Sequence, residues 1–416
     1  MLIGAIADDL TGATDLALTL SRGGLTVRQV VGVPHEGTDI GDAQAIVVAL
    51  KSRTIPAADA VAQSLDSARF LRAAGAGQFF FKYCSTFDST DDGNIGPVID
   101  ALLDLLGETR TIACPAFPTN GRTIYKGHLF VGDVLLSDSS MRNHPLTPMR
   151  DANLIRVLQR QTTRPVSLIA HEAVVGPPEA LDHAFATLDG IAIVDAITDD
   201  DLRAIGRAAR GLKLVTGGSG VALGLPANFL DGASAAAPTI IRPAPGRAVM
   251  LAGSCSAATR RQVDVALAAG TPALRIDPLA IAAGTLTIAD AVAFALAAPA
   301  GRAPLIYSSA DPAAVAEIQD KLGRAVAGDT VERFLGAVAR ELLQHGTTRF
   351  LVAGGETSGA VVNALGIETL SIGPEIDPGV PWTLASGVDG TPVALALKSG
   401  NFGAGDIFLK AWDLIA

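Results

Sequence analysis

The sequence is poor in the residues that build disulfide frameworks and structural metal sites. It has three cysteines, Cys84, Cys114 and Cys255, and six histidines among 416 residues. The cysteines are too few and too scattered for a disulfide scaffold, and the histidines show no ligand spacing near them. Neither a disulfide-stabilised fold nor a structural zinc site is expected, and the cysteines and histidines do not identify the ligands of any other metal.

Basic residues and long apolar runs are also scarce. The formal net charge is -10, and no dense stripe of lysine or arginine offsets it locally, so a nucleic-acid partner is not expected. No apolar run reaches the roughly 20 residues that span a bilayer, and the N-terminus enters a strand without a basic region and cleavage site. These features predict a cytoplasmic protein with no membrane partner.

Apolar residues are abundant, at 49% of the chain, and 44 glycines accompany them. A chain of this length exceeds one ordinary hydrophobic core, so two domains are expected. Short apolar runs alternate with alanine-rich helical stretches, the pattern of parallel strands covered by helices on both faces. The sequence therefore predicts an α/β protein with two doubly wound, Rossmann-like domains and a ligand cleft between them.

The domain boundary is expected in the run DGASAAAPTIIRPAPG, residues 231–246, where small residues and prolines replace the helical period. The prediction is an N-terminal domain at 1–235 and a C-terminal domain at 246–416. The prolines from Pro238 to Pro245 make this segment a candidate hinge for domain closure.

Ligands of open α/β sheets bind beyond the carboxyl ends of strands, so the turns after apolar runs are informative. The first such turn is IADDLTGATD, in which Asp8, Asp9 and Asp15 bring acidic oxygens to a strand end and a helix start. One aspartate suffices to cap a helix. Two adjacent aspartates exceed that need and indicate a polar ligand or a metal.

The second turn, FKYCSTFDSTDDGNIGP, places Lys82 before a row of hydroxyls that includes Ser85 and Thr86. A cation beside hydroxyls suits a polyhydroxy acid, with the lysine neutralising a carboxylate or phosphate and the hydroxyls and helix N-terminal amides holding sugar oxygens. Alternatively, the segment is a polar loop with a solvated lysine. Arg122, after the next strand, is a natural bidentate partner for a carboxylate. His128 and His144 are weaker candidates.

Three further turns fall in the C-terminal half: GSCSAATRRQ, GGETSGA and KSGNFGAGD. Each puts glycine and small hydroxyl residues between a strand and a helix, where backbone amides can approach phosphate oxygens. Glycine at such turns often serves packing alone, but three turns in one domain favour a nucleotide site. The Walker pattern is absent, and no glycine motif fits the dinucleotide fingerprint.

Taken together, ADDLTGATD, KYCSTFDST with GNIGP, GRTIYKGHLFVGD with MRNHPLTPM, GSCSAATRRQ, GGETSGA and LKSGNFG resemble the four-carbon acid sugar kinase family. The resemblance implies a sugar-acid-binding N-terminal domain, a nucleotide-binding C-terminal domain, and ATP with Mg²⁺ as cofactors. The positions matching the ATP-contacting segments of the family are Ser254, Ser256, Gly354, Gly355, Glu356, Thr357 and Gly400. Within the family, the branch that phosphorylates O4 of a 3-oxo-tetronate is the most similar.

As a hypothesis on mechanism, Asp9, or in second place Asp8 or Asp15, accepts or orients the proton of the substrate hydroxyl, and Lys82 and Arg122 hold the sugar acid. The alternatives are a sibling kinase acting on D-threonate or D-erythronate, a non-catalytic sugar-acid sensor, and a dehydrogenase. The expected partners are the small sugar acid and ATP, together with a possible second copy of the chain.

Overall fold

The chain forms two compact units, Met1–Ala237 and Pro238–Ala416, in the computed structural model. The structure describes residues 1–144, 147–230, 245–299, 301–308 and 323–415. The predicted boundary run and the candidate hinge therefore lie almost entirely outside the described residues. In the described part of the chain, no helix is both long enough and apolar enough to cross a membrane.

The first unit is built around a sheet whose neighbouring strands are all parallel. Its described strands follow the order β2-β3-β1-β4-β11-β5-β10-β9. Their bounds are Ile3–Ala7 (β1), Val27–Val31 (β2), Ala45–Ala49 (β3), Gln78–Lys82 (β4), Arg110–Cys114 (β5), Val166–Ile169 (β9), Gly190–Val194 (β10) and Leu214–Gly217 (β11). Strands β1 and β3 are buried at every position, which explains their continuous apolar sequences.

Helices connect these strands, and a small second sheet lies between β5 and β9 along the chain. The helices are Leu10–Arg22 (α1), Ala57–Ala73 (α2), Ile95–Leu106 (α3), Leu154–Gln159 (α4), His171–Val174 (α5), Pro178–Ala186 (α6) and Asp199–Ala208 (α7). The small sheet is antiparallel and consists of Arg122–Tyr125 (β6), His128–Val131 (β7) and Val134–Leu135 (β8). It was not predicted, because its strands are short and lie in a segment rich in glycine and turn residues.

The second unit has a mixed sheet in the order β13-β14-β12-β15-β18-β17-β16. The strands are Arg247–Ala252 (β12), Ala273–Arg275 (β13), Leu305–Tyr307 (β14), Thr347–Ala353 (β15), Thr369–Asp377 (β16), Val380–Ser386 (β17) and Pro392–Lys398 (β18). The described helices are Ala257–Ala268 (α8), Pro278–Ala282 (α9), Ile288–Ala297 (α10), Arg324–Gln344 (α11), Gly355–Ala364 (α12) and Ile407–Lys410 (α13). Strands β13, β14, β12, β15 and β18 are parallel, whereas β17 pairs antiparallel with both β16 and β18.

The predicted α/β class is confirmed. The first unit has the predicted parallel sheet, whereas the sheet of the second unit is mainly parallel and also contains the antiparallel strand β17. Each sheet also has a point where the chain changes direction: β1 lies between β3 and β4, and β12 lies between β14 and β15. In doubly wound sheets the crevice beyond the carboxyl ends at such a point is where ligands bind. Ligand sites are therefore expected at these two edges.

The core of the second unit is centred on Trp382, whose side chain is 0% exposed. Its indole Nε1 donates a hydrogen bond to the carbonyl of Ala411 at 2.8 Å. The ring of Trp412 lies 5.4 Å from the ring of Trp382. Both tryptophans of the chain belong to this unit, so tryptophan fluorescence reports on it alone.

Candidate functional site

Asp9 connects the end of β1 to the start of α1. Its backbone is extended, and its Oδ2 accepts hydrogen bonds from the amide of Gly12 at 3.2 Å and the hydroxyl of Thr11 at 2.9 Å. This is the N-cap role that the sequence allowed for one aspartate. The second carboxylate oxygen, Oδ1, is not used for capping and lies 2.5 Å from Nη2 of Arg53. Asp9 therefore serves both the helix and the strand-end site.

Arg53 was not predicted as a site residue, yet it organises this edge of the sheet. It follows β3 and pairs in a bidentate manner with Asp8, with Nε 2.9 Å from Oδ2 and Nη2 2.7 Å from Oδ1. Its Nη1 lies 3.8 Å from a carboxylate oxygen of Asp88. The rule that selected the other strand-end turns would have selected LKSRTIP after β3 as well, because that turn carries two charged residues, Lys51 and Arg53.

Lys82, at the end of β4, provides the second cation. Its side chain is buried, and a methyl group added to Gly12 would come within 2.5 Å of its Nζ, so the glycine of DLTGATD leaves room for the ammonium group. Strands β1 and β4 are parallel neighbours, with Ala7 opposite Lys82 in the register. The residues Asp8, Asp9, Arg53, Lys82 and Asp88 are called the strand-end cluster below.

The cluster shifts the pKa values of its two adjacent aspartates in opposite directions. Burial raises the pKa of Asp8 despite its pairing with Arg53. Burial also opposes ionisation of Asp9, but the positive charges of Arg53 and Lys82 outweigh it and lower the pKa of Asp9 to about 2. At neutral pH Asp9 is an ionised carboxylate and a weak base, suited to accepting a hydrogen bond.

The loop after β4 is held in a strained conformation. Phe87 has a φ of 52° although it is not glycine, and its buried ring packs edge-on against Tyr83 at 5.4 Å. A left-handed residue of this kind costs about 1–2 kcal/mol and persists only where packing enforces it. The turn brings the Thr86 hydroxyl to 2.5 Å from Oδ1 of Asp88. Ser85 is half-buried in the same turn.

Other residues of this motif serve the scaffold. Asn94 Nδ2 donates to the carbonyls of Ser52 at 2.6 Å and Ile55 at 2.9 Å, which fixes the loop that carries Arg53. The amide of Gly96 donates to the Gln161 side chain at 2.9 Å, and Gln161 in turn donates to Ser89 at 2.7 Å. The expectation that the helix N-terminal amides here hold sugar oxygens is therefore wrong for Gly96.

Asp15 and Arg122 make contacts with other parts of the first unit. Asp15, in the second turn of α1, is buried and accepts a hydrogen bond from Ser219. Arg122 begins β6, where its Nη1 donates to the carbonyl of Asn120, and its buried Nε has no hydrogen-bond partner among the residues that the structure describes. His128 contacts the Lys126 carbonyl and Asn153, and His144 contacts Thr147. The proposed roles of Asp15 and Arg122 stay predictions.

In the second unit, the three turns predicted to act together do meet, at the carboxyl ends of β12, β15 and β18. Ser256 caps α8 by accepting from the Thr259 amide at 3.1 Å, and its hydroxyl donates to the Gly400 carbonyl at 2.5 Å. The Ser254 hydroxyl accepts from the Ser256 amide at 3.2 Å. A methyl group on Gly400 would lie 2.5 Å from Ser254 Oγ, so only glycine allows this approach. We call this arrangement the three-loop junction.

The turn after β15 completes the junction. Gly354 has a φ of 123°, a conformation that residues with a side chain rarely adopt, and its amide donates to the Lys398 carbonyl at 2.9 Å. Gly355 and Glu356 are exposed at the first turn of α12, and Thr357 is buried behind them. Gln262, the last residue of GSCSAATRRQ, donates to the carbonyls of Phe402, Gly403 and Ala404 and so fastens the loop after β18.

Lys398 is the residue of this junction that sequence reasoning missed. Its side chain is 0% exposed, and its Nζ donates to Thr259 Oγ1 at 3.0 Å and to the Gly400 carbonyl at 3.3 Å. Burial lowers the pKa of Lys398 to about 7. The lysine stands in the quoted motif LKSGNFG, but its apolar surroundings come from strands that the motif does not contain.

Comparisons with known proteins match each of the two units with a different family model. A family model described as a sugar-binding N-terminal domain matches residues 3–225, and one described as a nucleotide-binding C-terminal domain matches residues 249–408. A curated protein of Burkholderia multivorans named 3-oxo-tetronate kinase is 58% identical over 99% of this chain and 96% of its own. A protein of Cupriavidus necator with the same name is 56% identical over the same shares.

The fold has solved relatives as well. A crystal structure of a protein from Salmonella typhimurium LT2 has a TM-score of 0.89 and 40% sequence identity, covering 100% of this chain and 99% of that one. The likeness extends over both units.

Lys398 generates a prediction on stability. Between pH 7 and pH 9 the unfolded chain keeps a proton on this lysine that the folded protein has released, because the folded pKa is about 7. The free energy of unfolding of the wild type should therefore rise with pH relative to Lys398→Met, by at most about 1.4 kcal/mol per pH unit. Denaturant unfolding followed by tryptophan fluorescence at pH 7, 8 and 9 measures this difference.

The matched control is Lys410→Met, in the same unit. Lys410 pairs with Asp377 at 2.5 Å, and this hydrogen bond raises its pKa, so Lys410 stays protonated in both states over this pH range. Its removal should change stability by the same amount at each pH. If the difference in the free energy of unfolding between the wild type and Lys398→Met is also independent of pH, Lys398 is charged in the folded protein.

Proposed function

The chain belongs to the four-carbon acid sugar kinase family and is a sugar acid kinase, and on this premise we propose that it transfers the γ-phosphate of ATP to the 4-hydroxyl of a 3-oxo-tetronate. The substrate would be 3-dehydro-erythronate or 3-dehydro-threonate. The observation that carries the proposal is the convergence of three glycine-bearing loops on one sheet edge of the second unit. The names of the curated relatives support the choice of substrate.

The three-loop junction is proposed to hold the triphosphate. Gly354 precedes α12, and Gly355, Glu356 and Thr357 form its first turn, where the positive end of the helix dipole attracts phosphate oxygens. Ser254, Ser256 and Gly400 complete the junction and would face the same nucleotide. Close approach of backbone to phosphate requires small residues, and Gly400 and Gly354 provide them.

Magnesium is proposed to arrive with the nucleotide as MgATP, which is the substrate complex. Among the described residues, no group of three or more histidine, cysteine, aspartate or glutamate side chains could hold a metal ion. Mg²⁺ usually keeps several waters and binds through phosphates with one or two carboxylates, so a preformed protein cage is not required.

The strand-end cluster is proposed to bind the sugar acid. It contains three carboxylates and two cations. Arg53 is paired with Asp8, so the buried Lys82 is the cation proposed to meet the substrate. A substrate carboxylate would pair with Lys82, and Ser85, Thr86 and Arg122 would contact the remaining oxygens. The Lys82 ammonium and the Asp9 carboxylate both lie next to Gly12, so a ligand bound at Lys82 would also reach Asp9.

Phosphoryl transfer needs alignment and charge balance more than proton removal, since its transition state is loose. Asp9 is therefore proposed to orient the attacking hydroxyl by accepting its hydrogen bond. A carboxylate with a pKa of about 2 takes a full proton poorly, but it remains ionised throughout the physiological pH range. The proton would leave once the oxygen has bonded to phosphorus and become acidic.

The decisive test is a coupled assay of ADP release over four-carbon sugar acids and their 3-oxo forms, followed by location of the phosphate in the product. The proposal predicts the highest kcat/KM with a 3-oxo-tetronate and phosphate on O4. Preference for D-threonate or D-erythronate would favour a sibling kinase. Ligand binding without ATP consumption would favour a sensor and contradict the proposal.

Asp9→Asn tests the hydroxyl-orienting role. Asparagine is an equally good N-cap, so α1 and the fold should persist. Loss of the negative charge should lower kcat by about 100-fold or more, because a neutral amide oxygen accepts the hydrogen bond of the substrate hydroxyl more weakly than a carboxylate does. Asp66→Asn, on the exposed face of α2, is the control and should leave kcat unchanged. Near-normal turnover by a folded Asp9→Asn protein would remove Asp9 from the mechanism.

Gly400→Ala tests the nucleotide site. The added methyl group would lie 2.5 Å from Ser254 Oγ and 3.2 Å from Ser256 Oγ, so the junction must open. The KM for ATP should rise at least about tenfold while the fold persists. Gly359→Ala lies on α12, where the new methyl group meets no described atom within 4 Å apart from its own helical turn and chain neighbours, and it should leave the KM unchanged. Equal KM values for the two variants would place the nucleotide elsewhere.

A further inference from the structure

A cavity of about 450 Å³ lies at the opposite edge of the second unit's sheet, beside the amino ends of β12, β14 and β15. Its walls come from Arg247 and Ala248 of β12, from Pro304 before β14, and from Thr347 and Arg349 of β15. Trp412 closes it from the C-terminal segment. The volume lies in the range of small-molecule sites, about 300–1,000 Å³.

Three arginines line this cavity: Arg247, Arg302 and Arg349. No aspartate or glutamate is among the described residues of the wall, and within the described ranges none of the three guanidinium groups pairs with a carboxylate. A charge of about three positive units thus faces one space in a chain whose net charge is -10. Such a concentration of cations attracts anions.

The guanidinium groups retain donors that the protein does not use. Arg349 Nη2 donates to the Gly246 carbonyl at 2.8 Å, and Arg247 Nη1 donates to the Leu296 carbonyl at 2.8 Å. A guanidinium offers five N–H donors, so the remaining donors of these groups can serve a ligand in the cavity.

A break in strand register brings these side chains to the cavity. Arg247 pairs with Thr347, but Ala248 pairs with Arg349, so Thr348 is an extra residue in β15. A bulge of this kind redirects the neighbouring side chains. It places Arg247 and Arg349, from adjacent strands, in the wall of the same cavity.

Much of the rest of the wall is apolar and includes an aromatic ring. Pro299, Leu409 and Trp412 belong to this part of the wall. A compact dianion with three acceptor oxygens matches several guanidinium groups better than a single carboxylate does, because each fork donates two hydrogen bonds. An attached organic group would pack against Trp412.

We propose that this cavity is a second ligand site, which binds a small phosphate monoester through Arg302 and Arg349 with its organic part against Trp412. The site is separate from the three-loop junction, because β12 carries the cavity at Arg247 and the junction beyond Ala252, about 17 Å along the strand. Its ligand would act on the kinase without occupying the nucleotide or sugar-acid positions.

The test is a fluorescence titration of the full chain in phosphate-free buffer. Trp412 lies in the cavity wall and Trp382 is buried in the core, so binding should change the Trp412 emission. Glucose 6-phosphate should give a saturable change, glucose should give none, and gluconate should bind at least tenfold more weakly. Arg349→Gln and Arg302→Gln should each weaken glucose 6-phosphate binding at least tenfold.

Arg340→Gln, an exposed arginine on α11, is the matched control and should bind as the wild type does. Because the Arg302 side chain is exposed, Arg302→Gln disturbs no buried group and should fold as the wild type does. Both cavity variants should keep the wild-type initial rate of ADP release, measured without added phosphate monoester and before the phosphorylated product accumulates. Absence of a saturable change, equal binding of gluconate, or unweakened binding by both cavity variants would overturn the proposal.

Discussion

The carboxyl ends of parallel strands share one edge of a sheet, and this constraint assembles the strand-end cluster in the first unit and the three-loop junction in the second. Asp9, Arg53 and Lys82 follow β1, β3 and β4, which are neighbours in the first sheet. Ser256, Gly354 and Gly400 follow β12, β15 and β18, which are neighbours in the second. Segments separated by many tens of residues in the chain thus contribute to a single surface.

Charges gathered in this way must be compensated, and the two units do so differently. The strand-end cluster balances Asp8, Asp9 and Asp88 against Arg53 and Lys82, which keeps Asp9 ionised although it is largely buried. The three-loop junction has one buried cation, Lys398, and burial lowers its pKa to about 7. A triphosphate bound there would place negative charge beside Lys398, which would favour the protonated form of this lysine.

Much of the fold was predictable because its pattern is local. Buried parallel strands read as short apolar runs, and α1 is delimited by the Asp9 cap and Gly23. The hairpin of β16 and β17 and the small sheet of β6 to β8 were not predicted. Their pairing depends on partners elsewhere in the chain, and short strands carry little periodic signal.

The sequence by itself determined the family, the kinase class, the α/β architecture and the turns that form the sites, since each depends on residues adjacent in the chain. The tertiary structure alone decided that Arg53 joins Asp8 to Asp9, that Lys398 is buried, and that Gly96 packs against Gln161. Burial and pairing arise between strands that meet only after folding, and the free energy of a charge depends on those neighbours.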